Sequence, residues 1–135
     1  MNNRNFLSKI AKREFRLTKI LADRVDNIPK NTNVKINQEV TCEVLERNKD
    51  GFTAKVNVKV FIDPEDLFSM EIEHEMRVVF NEEVADEEID NYINDIIAPL
   101  GPEVSYIIAS ITKKMFGTHM ILPPVIKVEK IEEDK

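Results

Sequence analysis

The chain has no tryptophan, one cysteine, two histidines and three glycines among its 135 residues. Each shortage closes off a class of protein. A single thiol, Cys42, can make neither an intramolecular disulfide nor a cysteine-based metal site. Its neighbours alternate as in a strand and set it beside inward-facing Val40 and Val44, so it reads as a reduced core residue, which suits a reducing cytosol. His74 and His119 belong to no HExxH pattern, and the sequence has no glycine-rich phosphate loop and no serine-elbow motif. The glutamates flanking His74 point to the opposite face of a strand, which removes them as co-ligands. Without a nucleophile beside a base, paired carboxylates in a cleft or a metal cluster, we expect no enzyme active site and no cofactor.

Long apolar runs are missing too. The stretch from Val104 to Ile111 is too short and too interrupted to span a bilayer. The N-terminus sets Arg4, Lys9, Lys12, Arg13 and Glu14 around few apolar residues and lacks the core of a secretory signal. With 19 Lys and Arg against 25 Asp and Glu, the net charge of -6 disfavours nucleic acid, which needs clustered cations. Lys9, Lys12, Arg13 and Arg16 leave a local basic patch open, although such runs are most often solvated faces. The expectation is a cytoplasmic protein with no nucleic-acid partner and no membrane insertion.

What is present is enough for one core: 42% of the residues are hydrophobic and 33% are charged, in a length usual for one domain. There is no internal repeat and no linker-like segment. From Val34 to Leu45, Val34, Ile36, Val40, Cys42 and Val44 alternate with Lys35, Asn37, Glu39, Thr41 and Glu43, giving a strand with one dry face. Asn48-Lys49-Asp50-Gly51 supplies turn chemistry, with Gly51 expected to take a positive φ. A second strand runs from about Phe52 to Ile62, and Asp63-Pro64-Glu65-Asp66 breaks it. A third runs from Leu67 to Phe80, with Phe68, Met70, Ile72, His74, Met76, Val78 and Phe80 on one face and Ser69, Glu71, Glu73, Glu75 and Arg77 on the other. Three such segments joined by short connections make an antiparallel meander.

The flanks follow other rules. Phe6, Leu7, Ile10 and Ala11 fit one or two turns of helix. Arg13 to Val25 fits a strand through Phe15, Leu17 and Leu21, and equally a helix through Leu17, Ile20, Leu21 and Arg24. After the sheet the period becomes about 3.6. Asp86 to Ala98 carries Ile89, Tyr92, Ile93, Ile96 and Ile97 on one side, with Asp86, Glu87 and Glu88 complementing the helix dipole. Pro99 and Gly101 interrupt it, and Pro102 suits the first turn of a second helix. Val104, Ile107, Ile108, Ile111 and Met115 form its stripe, and Gly117 its C-cap. Burying these stripe residues is worth about 1.5–3 kcal/mol each, so the helix must pack on the sheet. Its other side, Ser105, Ala109, Thr112 and Phe116, is either ordinary surface or a helix-to-helix subunit contact.

This order of strand meander, proline-interrupted helices, Gly-Thr turn and Pro-Val segment is similar to the SecB family of bacterial chaperones. The stretch from Ala98 to Val125 carries the resemblance, with Pro102, Ile111, Thr112, Gly117, Thr118, Leu122, Pro124 and Val125 matching the family pattern. The likeness in strand order spans roughly Phe15 to Val125. It implies that Arg13 to Val25 is the first strand of an α+β fold, a four-stranded antiparallel meander sheet with the C-terminal helices packed on one face. Residues 1–135 would form a single SecB-like domain with a short basic N-terminal segment (1–12) and a charged C-terminal tail (126–135). The assembly implied is a homotetramer, a dimer of dimers, and the partners are unfolded or precursor polypeptides, passed on to the motor SecA in the export branch, or the antitoxin of a toxin–antitoxin pair in a second branch.

On the same resemblance, Met70, Ile72, His74, Met76, Phe80, Phe116 and Leu122 line the client groove. Taken singly, each is what an ordinary core carries. Methionine adapts to varied partners, and exposed sheet edges add backbone pairing with an extended client. Glu71, Glu73 and Glu75 make an acidic face for a basic partner, or a plain solvated face. Two departures weigh against the export branch: Asn27 to Asn33 lacks the aromatic residues of export-type members, and a full second helix hardly fits after Val125.

Overall fold

Alternation through the middle of the chain closes into a sheet because a slip of one residue would bury charge. The structure is a computed structural model and describes residues 3–24, 35–63, 68–117, 122 and 125–133. Strands β2 (Lys35–Asn48), β3 (Gly51–Asp63) and β4 (Phe68–Phe80) form the expected meander. The ambiguous N-terminal segment is strand β1 (Ile10–Arg24), antiparallel to β4. A short β5 (Lys130–Glu133) then runs parallel to β2, and the sheet order is β1-β4-β3-β2-β5.

The SecB-like α+β arrangement therefore holds, with one correction: the sheet has five strands and is mixed, not four and purely antiparallel. The fifth comes from the charged C-terminal run. Ile126 is buried at 4% exposure, and the Glu129 amide donates to the Val40 carbonyl at 2.8 Å, so the backbone that follows is carried along the β2 edge.

The helices are α1 (Asn3–Leu7), α2 (Asp86–Asn91), α3 (Ile93–Ile97) and α4 (Leu100–Phe116). The expected helix over Asp86 to Ala98 is split at Tyr92 (φ -112, ψ 16), yet Ile89, Ile93, Ile96 and Ile97 all remain buried. The apolar stripe survives the break because burial, not helix continuity, selects those positions. On α4, Leu100, Val104 and Ile108 are buried, while Ile107, Ile111 and Met115 pack more loosely at the side. Thr112, expected on the other side, is also fully buried; its hydroxyl donates to the Ile108 carbonyl at 2.7 Å, which satisfies it within its own helix. Gly117 adopts φ 80, and its amide donates to the Lys113 carbonyl at 2.9 Å, the expected left-handed cap.

Gly51 serves a different purpose from the one expected. Lys49 and Asp50 make the turn, and the described glycine with positive φ is Gly117. A Cβ on Gly51 would instead land on the Val78 carbonyl oxygen, so glycine is required for close approach of β3 to β4.

Polar ties hold the helical layer on one face. Arg13 Nη1 donates to the carbonyls of Asp95 (3.3 Å) and Ile96 (3.2 Å), pinning α3 over β1. Arg47, with its side chain 12% exposed, reaches Asp86 at 3.1 Å and Asp90 at 3.4 Å and so fastens α2 to β2. Phe6 stacks on Tyr92 with ring centroids 4.6 Å apart and meets Phe80 edge-on at 6.1 Å, which seats α1 in the same layer.

Candidate functional site

The helix-facing side of β4 is a continuous apolar row. Phe68, Met70, Ile72, His74, Met76, Val78 and Phe80 alternate inward, each 6% exposed or less. Of the sequence-predicted groove residues, Met70, Ile72, His74, Met76 and Phe80 thus lie together on one face, inside the core of the chain. Leu122 joins them from the side, half-buried, where Ser105 Oγ donates to its carbonyl at 2.9 Å and ties the C-terminal segment along α4. The side chain of Phe116 lies outside the described residues.

The row does not stop at β4. On β1, Phe15 opposes Met76 and Leu17 opposes His74, so both share the helix-facing side. The register then shifts between Leu17 and Lys19, and Ile20 and Ala22 oppose Ile72 and Met70, again on that side. Leu17 is 41% exposed and Ile20 38% exposed, against 0% for Ile72. The apolar face therefore begins beneath the helices and ends bare at the edge of the sheet. Among the described residues, no strand pairs with the outer edge of β1. Leu21, on the opposite side of the same strand, is 52% exposed.

Sequence reasoning missed Leu17 and Ile20. A signal was available: an apolar residue that returns after three positions in a segment otherwise alternating by two marks an extra residue in a strand as well as a turn of helix.

One polar contact interrupts the covered part. His74 is 1% exposed, and its Nε2 lies 3.1 Å from Oε2 of Glu103 in the first turn of α4. Burial pushes the imidazole below its usual pKa, and the Glu103 carboxylate opposes that shift only in part. Glu103 was also missed, since nothing in a linear pattern links it to His74.

The outward face places Glu71, Glu73 and Glu75 in a row, but not alone. Cross-strand pairing sets Glu75 between Arg16 of β1 and Lys55 of β3, and Glu71 between Leu21 and Lys59. Glu73 opposes Lys19 and accepts from the Thr18 hydroxyl at 2.8 Å. Glu71 accepts from the Asn57 amide at 2.7 Å and lies 3.7 Å from Lys19 Nζ. That amide first, and then the Lys19 and Lys59 charges, hold the Glu71 carboxyl below its usual range. The acidic row is interleaved with cations, which shortens the reach of its field.

Among the described residues, no group of three or more His, Cys, Asp or Glu side chains is placed to hold a metal ion. No described helix is long and apolar enough to cross a membrane.

A sheet with one apolar face, half roofed by helices that follow it in sequence, defines a SecB-like fold. The chain superposes on a SecB-like chaperone of Mycobacterium tuberculosis, solved in complex with a ChAD peptide from the HigA1 antitoxin, with a TM-score of 0.68 and 14% identity over 93% of this chain and 95% of that one. A protein of unknown function from Streptococcus agalactiae also matches, with a TM-score of 0.49 and 18% identity over 82% of this chain and 94% of that one. No protein-family model and no curated sequence matches the chain.

Proposed function

We propose that the protein is an ATP-independent holdase that binds non-native or precursor polypeptides along the helix-facing side of its sheet. The observation that carries this reading is the apolar row that runs from under α4 to the exposed pair Leu17 and Ile20. A client segment would lie on Leu17 and Ile20 and pair its backbone with the free edge of β1, a mode that accepts many sequences because main-chain bonds supply the affinity. Met70 and Met76 then supply a deformable floor further in. This is binding, not catalysis, and it calls for no cofactor. The acidic row would serve a docking partner such as SecA only at close range. The working form is a cytoplasmic homo-oligomer, a dimer of dimers, acting in protein export or as a general holdase.

A second reading is favoured by the neighbour solved with an antitoxin peptide: a SecB-like adaptor dedicated to a single partner of that kind. The same row and edge would take the partner's segment.

Suppression of aggregation separates the readings. The full chain is mixed with several unrelated denatured proteins at near-stoichiometric ratio and light scattering is followed. Broad protection supports the holdase. Protection of none, in a correctly folded chain, rejects it in favour of the adaptor. Light scattering or sedimentation of the purified chain gives the oligomeric state, and a monomer at working concentration rules out the tetramer.

A further inference from the structure

Three of the groove residues, Met70, Ile72 and Met76, are 2% exposed or less, so a client reaches them only if the roof moves. One contact beneath that roof is made differently from the rest. His74 stands between Ile72 and Met76 on β4 and opposes Leu17 of β1 and Val56 of β3, all apolar. Neither ring nitrogen completes a well-formed hydrogen bond; Nε2 only approaches Glu103 Oε2 at 3.1 Å, while the Glu103 side chain is 49% exposed. A buried imidazole left in this state is costly, and lifting α4 would let water satisfy both nitrogens.

We propose that His74 and Glu103 form an acid-released latch between β4 and α4, controlling access to the buried Met70, Ile72 and Met76 that flank His74 on β4. The proposal rests on the reading of that row as a polypeptide groove. The charges around His74 leave Glu103 as its counterpart. Glu73, Glu75, Arg16 and Lys55 stand on the outward face of the sheet, by strand alternation and register. Arg13, on the helix-facing side of β1, is committed to the α3 carbonyls of Asp95 and Ile96.

The sign follows from burial. The docked imidazole takes a proton less readily than its usual pKa of 6.5 would allow, whereas a lifted one recovers the ordinary affinity. Acid therefore favours the lifted form, by up to about tenfold per pH unit below that value, until the docked ring itself titrates. The bias does not have to open every molecule, because a client that binds only the lifted form draws the population after it.

The test reads methionine exposure directly, on the full chain and without a client. Dilute hydrogen peroxide converts exposed Met to the sulfoxide, and mass spectrometry gives the rate at Met70 and Met76 at pH 7.5 and 5.5, normalised to free methionine in the same tube. The native chain should oxidise faster at the lower pH, by at most about tenfold, with its far-UV spectrum unchanged. His74→Gln should remove the pH response. Glu103→Gln should enlarge it, because the docked ring loses the carboxylate that helps it hold a proton. Equal rates at the two pH values in the native chain overturn the latch, as does a response that survives His74→Gln, or loss of the sheet spectrum over the same range. A chain that opens in acid but protects no client would keep the latch and reject the holdase; the reverse result would do the opposite.

Discussion

The two edges of the sheet are built to opposite ends. At β2, the chain doubles back to lay Lys130–Glu133 alongside Thr41–Val44, filling backbone positions that would otherwise face water. At β1, a strand of 15 residues presents its outer edge with nothing described against it, and Leu17 and Ile20 stand beside that edge exposed. An uncovered apolar edge strand invites another chain and is normally guarded against. Covering the middle of one edge and leaving the other uncovered favours the β1 side for that pairing. The same chain shows that it can close an edge, which makes the open one informative.

The largest effect on client binding is expected from reversing the character of the open edge. Leu17→Asp with Ile20→Asp should lower protection of denatured clients at least tenfold, on the order of 1.4 kcal/mol or more of binding, in a chain with unaltered secondary structure. Val125→Asp, a still more exposed apolar position on the β2 side at 62%, should leave protection unchanged. Equal losses from the two would dissolve the distinction between the edges.

The next effect strikes both edges together. Gly51→Ala forces a methyl group against the Val78 carbonyl at the turn end of β3 and should cost about 3 kcal/mol in urea unfolding, within the range of overpacked sites. A neutral result would mean that β3 and β4 can separate without penalty. Smaller still is the removal of residues 130–135, which converts the sealed edge into a second open one. We expect a loss of about 1–2 kcal/mol, self-association in sedimentation, and faster labelling of Cys42, which pairs with Ile131. Its thiol is pushed up to about 11 by burial and should react slowly in the intact chain. Unchanged labelling would show that β5 does not protect that strand.

Replacing Glu71, Glu73 and Glu75 together by Gln should have the least effect on folding, below about 1 kcal/mol, since these are exposed or half-exposed pairs. The Glu71 part of that small difference has a fixed sign. A lowered carboxyl pKa stabilises above the ordinary carboxylate range, and the benefit is lost as pH falls through the lowered value. Urea midpoints at pH 7 and pH 3 check it: the native chain should lead the variant only at pH 7.

How much of this was legible in the sequence follows from which signals are local. Alternation wrote β3 and β4 to within a residue at each end, because each has one face against the helices and one against water; β2 continues three residues past the expected end at Leu45, through a register shift at Val44/Glu46. The left-handed cap at Gly117 was equally plain, being a matter of one residue's φ. The split at Tyr92 was hidden, since two short helices in line preserve the same apolar spacing as one. So was β5: four residues, three of them charged, carry no dry face of their own, and their place depends on Ile126 anchoring the chain nearby. Alternation placed Met70, Ile72, His74, Met76 and Phe80 on one face, but not the fact that this face is buried within the chain. Position along a strand tells which face a side chain takes; it does not tell what lies opposite. The acidic row illustrates the same limit, because its cations come from strands far away in sequence.

Thr18 has no partner in the register of β1 with β4, and its hydroxyl bonds instead to the carbonyl and carboxylate of Glu73. That one residue acts as a phase shifter. From Arg13 to Leu17, odd-numbered positions look toward the helices; from Ile20 on, even-numbered ones do. Deleting that residue would leave a regular strand with every face unchanged, whereas inserting or deleting one residue elsewhere between Lys19 and Arg24 would turn the positions beyond it to the other side.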